Sequence, residues 1–285
     1  MNRMGYACIN MQLSSQKPKI YTGRSMIKRT FKDKGIKYAS ELGLQNTKDL
    51  FEIIKWNKEN GFDFFRITSN LFPWCSEYKL EDMPDHWEIA GILGEIGKYV
   101  DEHKIRLTSH PGPFNVLTSP HEHVVENCIN DLSVHGEVFD MMGLSRTPYN
   151  KINIHIGGAY GDKVSAMERF CENFNRLPNS VKSRLTVEND DKATMYSVKD
   201  LYEGVYKVIG IPIVFDYHHH RFCTGDLSEQ EALEMAISTW GDIKPVVHYS
   251  ESRNIEQEDD KIRPQAHSDY VRDYIDTYGN RVDIM

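Results

Sequence analysis

The sequence is poor in the features that mark membrane-bound, secreted and disulfide-linked proteins. No apolar run approaches the roughly 18 residues of a membrane span, and the start of the chain has no apolar stretch of signal-peptide length. The five cysteines are an odd number, are widely spaced and include no C-x-x-C pair, which argues against a disulfide framework or a thiolate zinc site. We therefore expect an intracellular protein with reduced cysteines and no membrane partner, located in the cytoplasm or, in a eukaryote, in the nucleus.

Two common nucleotide-binding motifs are also missing. No G-x-G-x-x-G follows the first apolar stretch, and there is no P-loop, low-complexity tract or Pro/Gly/Ser-rich linker. These absences count against an open nucleotide-binding sheet and against separate linked domains. With 285 residues, 40% of them hydrophobic and 27% charged, the chain has an ordinary globular composition and can bury a full core.

The charge is unevenly distributed. A net charge of −8 would ordinarily count against a nucleic-acid partner, because phosphate binding relies on lysine and arginine. Residues 1–37, however, carry nine basic side chains against Asp33 alone, so this segment is +8 and the remainder is −16. Composition favours a solvated charge run and an anion-binding arm about equally.

Eight apolar stretches have the length and composition of β-strands. They lie at 6–11, 62–68, 105–109, 152–156, 185–188, 211–215, 245–249 and 282–285. Helical periodicity occurs between most of them, at 47–60, 87–103, 124–142, 164–175, 198–209, 227–239 and 269–278. Asn46 or Thr47, Ser197 and Ser228 are placed to cap the first, fifth and sixth of these helices. This alternation predicts an α/β protein with a (β/α)₈ TIM barrel as a single domain over 1–285, and a loop or excursion at 12–45.

Histidine and carboxylate side chains follow five consecutive predicted strands, where the active site of such a barrel lies. They are His110, His155, Glu188, Asp216 with His218, His219 and His220, and His248, and His267 follows in the next loop. A lone histidine at a strand end is more often structural, but their joint arrival predicts a polynuclear centre of zinc, manganese or iron. On an extended backbone at most two of the three consecutive histidines can face one cluster. The remaining histidines are assigned to surface or capping roles: His86, His103, His121, His123 and His135.

Seven short segments resemble the UV damage endonucleases, in the same order and over almost the whole length. They are GYACIN at 5–10, RITS at 66–69 with LFP at 71–73, SHPG at 109–112, HIGG at 155–158, VEND at 187–190, FDYHH at 215–219 and HYS at 248–250. That family is similar to endonuclease IV. The resemblance implies a single barrel that holds two or three divalent ions, usually Mn²⁺ with Zn²⁺ as the alternative. It also implies a monomer that nicks UV-damaged double-stranded DNA immediately 5′ of pyrimidine dimers, 6-4 photoproducts and often abasic sites.

The resemblance also implies roles for individual residues. It places His110, His155 and Glu188 at one metal; a bridging Glu188 with Asp216 and His248 at a second; and His219 and His267 at a third. Glu188, His155, Asp216 and His248 would be the catalytic set, with His218 and His220 as supporting groups. Substrate contacts are expected from Tyr6, Asn10, Phe114 and Arg66.

Three positions depart from the family pattern. Pro113 precedes Phe114 where the family commonly has a glutamine, and Val246 stands where the family often has a modifiable lysine. A glutamate ligand follows the eighth strand in the family, whereas this sequence stops at Met285. We therefore expect the chain to lack the C-terminal end of the barrel and to hold one metal weakly, unless Glu251 supplies the carboxylate. Two alternatives stay open: a metal-dependent sugar isomerase of the same barrel type, and a damage-binding protein that has lost catalysis.

Overall fold

The computed structural model describes residues 2–285 and contains an eight-stranded sheet whose strands follow the sequence order. The strands are β1 Tyr6–Ala7, β2 Phe64–Ile67, β3 Arg106–Ser109, β4 Ile152–Ile154, β5 Leu185–Glu188, β6 Ile213–Asp216, β7 Val246–His248 and β8 Asp283–Ile284. All neighbours pair in parallel. A parallel bridge from Met4 to Ile284 brings β8 back to β1 and closes the sheet. The predicted (β/α)₈ barrel is confirmed, and each strand overlaps a predicted stretch.

Helices surround the barrel. They are α1 Met11–Ser14, α2 Lys28–Glu59, α3 His86–Glu102, α4 Glu122–Met141, α5 Lys163–Phe174, α6 Asn179–Lys182, α7 Val198–Leu201, α8 Lys207–Ile209, α9 Tyr217–His220, α10 Glu229–Ser238 and α11 Arg253–Glu256. A π-helical segment, Tyr202–Tyr206, joins α7 to α8. Ser197 and Ser228 cap α7 and α10 through reciprocal bonds with Asp200 and Glu231, as predicted. None of the helices within 2–285 has the length and apolar character needed to cross a bilayer.

The first long helix begins much earlier than its predicted start at residue 47. α2 runs from Lys28, so the expected loop at 12–45 is wrong over its second half. Asn46 and Thr47 are not caps but buried mid-helix residues. The Asn46 amide donates to Leu71 O at 3.0 Å, and the Thr47 hydroxyl donates to Gly43 O at 2.8 Å. The helix is broken at Gly35, whose φ of 63° and ψ of −161° are not helical.

The helix predicted at 269–278 is also wrong, because this segment is irregular chain with isolated bends and one turn. It is fastened by contacts to its backbone: Glu251 Oε1 accepts from the N–H groups of Arg272 at 2.6 Å and Asp273 at 2.8 Å. The Tyr217 hydroxyl donates to Asp276 O at 2.8 Å. The Glu251 carboxylate therefore holds this loop.

The core has two parts. The larger one lies between the outer faces of the strands and the helices, and the smaller consists of Phe64, Val214, Trp240 and Val246. Phe64, Val214 and Val246 precede Arg66, Asp216 and His248 by two residues, so each pair faces the same side of its strand, the barrel interior. Toward the strand starts the interior thus combines these apolar side chains with the buried pair of Arg106 and Asp283, and toward the strand ends polar side chains line it.

Candidate metal centre

Glu188 lies at the centre of the polar cluster. It is the last residue of β5 and is buried. Its Oε2 atom is 3.1 Å from His110 Nε2 and 3.0 Å from His248 Nδ1, and it also accepts a hydrogen bond from the Asn153 amide. The side chain therefore meets groups carried by β3, β4 and β7.

Two sets of possible ligand atoms share this carboxylate. The first set is His110, His155 and Glu188, and the second is Glu188, Asp216 and His248; within each set the ligand atoms lie within 4.8 Å of one another. His155 reaches the first set through Nε2, 4.0 Å from Glu188 Oε1, while its Nδ1 is 3.2 Å from Asp190 Oδ1. The donor types are those that manganese and zinc accept.

Asp216 and His219 approach the centre from a helical turn rather than from extended chain. The Asp216 carboxylate caps α9, with Oδ1 accepting from His219 N–H at 2.9 Å. Residues three apart on a helix share a face, which brings His219 Nδ1 to 3.5 Å from Glu188 Oε1. The expectation of alternating sides along His218, His219 and His220 is therefore wrong for this segment.

His219 and His267 form a separate pair. Their Nε2 atoms face each other at 3.2 Å, and His267 Nδ1 is 2.7 Å from the Ser250 hydroxyl. The His218 ring lies 5.2 Å from the His267 ring, and His220 packs on Phe215. Within residues 2–285, His219 and His267 do not belong to a third set of three close ligands.

Burial sets the protonation of most of these groups. It lowers the pKa of His110 and of His267 to about 4 and that of His248 well below its usual value, so these rings are neutral and carry free lone pairs. Burial also lowers the pKa of His155, but Glu188 and Asp190 outweigh it and raise that pKa to about 9.

The two carboxylates at the centre shift in opposite directions. Burial raises the pKa of Glu188, but His248 and His155 outweigh it and hold that pKa well below its usual range. Burial raises the pKa of Asp216 to about 6. Protonation of Asp216 thus varies near neutral pH while Glu188 stays ionised, so the cluster offers at least one permanent anion to a cation.

Two basic side chains, Arg66 and Lys151, reach the centre from the barrel interior, and burial lowers the pKa of Lys151 well below its usual value. Arg66 lowers the pKa values of His110, His248 and His267, and its Nε is buried without a hydrogen-bond partner. Lys151 is fully buried, with Nζ 3.1 Å from His248 Nε2. Lys151 was not predicted from the sequence, where only Val246 was considered at this position of the site. The signal that could have found it is a lysine directly before the apolar stretch of β4.

Tyr6 and Asn10 lie away from the ligands. The Tyr6 ring packs edge-on against Phe62 and Phe65, and its hydroxyl bonds to the Asn57 side chain at 2.5 Å and the Asn10 amide at 2.8 Å. Asn10 is buried and caps α1 by accepting from Leu13 N–H. Both polar groups are already used within the protein. These contacts give both residues a structural role between β1 and α2, and their contact with substrate stays a prediction.

Two exposed aromatic side chains stand on neighbouring loops at the strand ends. Phe114 is predicted to contact substrate and is 61% exposed. Tyr160 was not predicted from the sequence and is 50% exposed. Gly157 packs so closely on the first loop that an added Cβ would lie 2.4 Å from Val116 Cγ1. The Arg169 side chain crosses between the loops, donating to Thr118 O at 2.8 Å with its guanidinium 5.8 Å from the Tyr160 ring centroid.

The other histidines divide between surface and interior. His121 and His123 are exposed, and His86 Nδ1 lies 2.9 Å from Leu80 O. His135 differs from its expected surface role: its side chain is only 11% exposed, with Nε2 3.8 Å from Asp131 Oδ2. It lines a small apolar cavity with Phe72, away from the ligand sets.

The sequence model of the family UV-endonuclease UvdE matches residues 2–285. The chain belongs to the UvdE family. It is 36% identical over 286 residues to the UV-damage endonuclease of Schizosaccharomyces pombe, covering 95% of this chain and 46% of that protein. It is also 36% identical over 233 residues to the UV DNA damage endonuclease of Bacillus mycoides, covering 80% of this chain and 69% of that protein. The chain thus spans about half the length of the first of these relatives.

Solved structures agree with this family assignment. The crystal structure of SacUVDE superposes with a TM-score of 0.82 at 31% identity, covering 100% of this chain and 92% of that chain. D-psicose 3-epimerase from Clostridium cellulolyticum H10 superposes with a TM-score of 0.52 at 16% identity, covering 71% of this chain and 68% of that one. The second likeness shows that the UvdE fold is shared with sugar epimerases, and it shows the fold alone.

Proposed function

We propose that this chain is a metal-dependent DNA repair endonuclease that nicks the backbone of UV-damaged duplex DNA immediately 5′ of pyrimidine dimers and 6-4 photoproducts, and also at abasic sites. The observation that carries the proposal is the sharing of Glu188 by two ligand sets in a member of the UvdE family. We further propose that the protein acts as a monomer. The substrate places the protein where DNA is, in the cytoplasm or, in a eukaryote, the nucleus.

The residues present fit divalent ions. His110, His155 and Glu188 would hold one ion, and Glu188, Asp216 and His248 a second, with Mn²⁺ as the first choice and Zn²⁺ as the alternative. His219 and His267 would contribute to a third position. When bound, such ions activate a water molecule and stabilise negative charge on a phosphate that is being cleaved.

Neighbouring side chains would hold the ligands in place. Asp190 lies against His155 Nδ1 and leaves Nε2 directed toward Glu188. The Asn153 amide fixes Glu188 Oε2, and Lys151 contacts the outer nitrogen of His248. Such supporting contacts fix the tautomer and orientation of metal ligands. The guanidinium of Arg66, whose Nε has no protein partner, is available to bind a phosphate oxygen.

Nicking of irradiated supercoiled plasmid tests the proposal. We expect nicking that a chelator stops and that added Mn²⁺ restores, with unirradiated plasmid left intact. A duplex carrying one defined dimer should be cut on its 5′ side. Binding of the lesion without any nicking would favour the damage-binding alternative, and neither binding nor nicking would favour a sugar isomerase.

The role of Phe114 can be tested separately, because truncation of this exposed side chain should leave the fold intact. Phe114→Ala should weaken binding of the damaged duplex relative to the undamaged one by about 1–3 kcal/mol if the ring stacks on a base. Fluorescence anisotropy with the two duplexes measures this difference. The exposed Val208 provides a control, since α8 ends at the opposite face of the barrel and Val208→Ala should leave the ratio unchanged. An equal loss for both duplexes in Phe114→Ala would contradict the stacking role.

A further inference from the structure

The first ten residues of α2 form a strongly basic surface. Five exposed side chains, the α2 basic patch, are Lys28, Arg29, Lys32, Lys34 and Lys37. Asp33 is the acidic residue among them, which leaves this segment at +4 in a protein whose net charge is −8. The patch accounts for half of the positive excess in residues 1–37.

The charges of the patch are not neutralised by acidic side chains. Within residues 2–285, none of the five side chains forms an ion pair with a carboxylate. Farther along the same helix, by contrast, Lys55 pairs with Glu52 at 2.5 Å and Lys58 with Asp63 at 3.0 Å. Arg29, Lys32 and Lys37 also lack the contacts with aromatic rings that Lys28 and Lys34 make.

Aromatic packing fixes the patch at the end of the barrel that carries the ligand sets. The Phe31 ring stacks on the Trp74 ring at 6.0 Å with 16° between the planes, and Trp74 Nε1 donates to Met26 O at 2.9 Å. Trp74 stands in the loop that follows the carboxyl end of β2, whose neighbour β3 leads to His110. In a barrel all strands point the same way, so these loops share one face.

The break at Gly35 falls between Lys34 and Lys37, so four of the five patch residues precede it. Burial in this helix begins at Ala39, and the turns before Gly35 touch the rest of the protein through Phe31 and Lys28. Four of the basic side chains therefore stand on a short arm attached to the rim, and Lys37 lies where this arm joins the packed part of the helix.

We propose that the α2 basic patch binds the sugar-phosphate backbone of duplex DNA beside the lesion; this rests on the proposed function. A row of exposed lysines and an arginine with no carboxylate partner displaces counterions from DNA without reading its sequence. The patch therefore supplies affinity for damaged and undamaged duplex alike. It explains how a protein of net charge −8 holds a polyanion, because its local charge at the rim is opposite to its total charge.

The salt dependence of binding to an undamaged duplex tests the proposal in the full chain. The variant Arg29→Gln/Lys32→Gln/Lys37→Gln removes three charges without touching an aromatic contact. The slope of log K against log salt should fall by about 2–3, because each phosphate contact contributes about 0.9. A variant with the same change in charge, Lys55→Gln/Lys98→Gln/Lys207→Gln, should keep the slope of the original protein. Its lysines lie near the ends of α2, α3 and α8, where those helices return to the opposite face.

The outcomes separate the two proposals. Equal slopes for the two triple variants would contradict the proposal that the α2 basic patch binds the DNA backbone. The proposed nuclease activity would still stand if irradiated plasmid were nicked in a metal-dependent way. Failure of the original protein to bind any duplex would overturn both. Circular dichroism of each variant excludes misfolding, and Arg29→Glu/Lys32→Glu/Lys37→Glu should lose more affinity than the glutamine variant.

Discussion

The two ends of the barrel interior both bury charged groups, but they neutralise them differently. Toward the strand starts, Asp283 accepts hydrogen bonds from Arg3 at 3.0 Å, from Arg106 at 3.0 Å and from Lys244. Toward the strand ends, Glu188 faces His110 and His248, whose lowered pKa values keep them neutral. A carboxylate enclosed by fixed cations stabilises the fold, whereas Glu188 faces two neutral imidazoles and His155, whose pKa is raised to about 9, and these rings offer ligand atoms to a divalent ion.

Two interior arginines repeat the contrast. Arg106 has each part of its guanidinium bonded within the protein, for example Nε to Tyr149 O at 2.7 Å and Nη1 to Lys244 O at 2.9 Å. Arg66, one strand away, has a buried Nε without a partner. Most buried polar groups are paired, so Arg66 retains a donor that Arg106 has already used within the protein.

The largest effect is expected when the Glu188 carboxylate, at the strand-end side of the barrel, is neutralised. Glu188→Gln keeps the shape of the side chain but removes the charge that both ligand sets share. Nicking of irradiated plasmid should fall by more than about 100-fold, beyond the 10–100-fold expected for loss of a supporting group. Elemental analysis should show that metal is lost with activity. His121→Gln changes an exposed histidine outside both ligand sets and serves as the control, which should keep turnover and metal content. Nearly normal turnover and metal content in Glu188→Gln would contradict the assignment of Glu188 as a shared ligand.

The same change at the other end should affect stability. Asp283→Asn leaves Arg3, Arg106 and Lys244 without their common partner, so the free energy of unfolding should fall by about 3–5 kcal/mol. Urea unfolding measures it. Asp101→Asn removes an exposed carboxylate paired with Lys104 and should cost no more than about 1 kcal/mol. Equal stability of the two variants would show that the buried cluster contributes nothing special.

The unfolding free energy that Asp283 contributes should also depend on pH. Burial raises the pKa of Asp283, but hydrogen bonds from Lys244 and Arg3 and the charge of Arg106 outweigh it, so the pKa lies below its usual value. The stabilisation is therefore complete above the unfolded pKa of about 4 and is lost as pH falls through the folded pKa. The difference in unfolding free energy between the original protein and Asp283→Asn should shrink in that acidic range. A difference that grew as pH fell would contradict this reasoning.

A smaller effect is expected from the lysine between the two ends. Lys151→Met removes the amine next to His248 Nε2 but keeps the side-chain length in a fully buried position. Affinity for the ion at the set that contains His248 should fall by about 10–100-fold, while the set with His110 and His155 keeps its ion. Metal titration followed by elemental analysis distinguishes the two sets by their stoichiometry. Parallel weakening of both would point to a general packing defect instead.

The sequence was sufficient to predict the barrel strands and the convergence of ligands. Strands covered on both faces read as continuous apolar runs, such as the stretch that became β6, and parallel strands bring their carboxyl ends to one edge. His110, Glu188 and His248 could therefore be predicted to meet from their positions alone.

The failures occurred where burial did not follow apolar periodicity. The early turns of α2 bury small residues, Ala39, Ser40 and Gly43, which carry no apolar stripe. The segment 269–278 shows the opposite case, because Tyr270 and Tyr274 have helical spacing but are 52% and 87% exposed and find no core. The hydrogen bond between Tyr6 and Asn57 was not predicted, because the two residues lie 51 positions apart in the chain.

The contact of Gly157 with Val116 has a consequence for how damage would be told from intact DNA. Because the two loops that present Phe114 and Tyr160 are packed together and joined by Arg169, neither can move outward alone to fit a partner. If the two loops keep one shape, they would meet every duplex in the same way. The deformation needed for a fit would then have to occur in the DNA. Under the proposed function, weakly stacked and easily kinked steps would give way at low cost and intact ones would resist, so the mechanical softness of the DNA would be the quantity that is recognised.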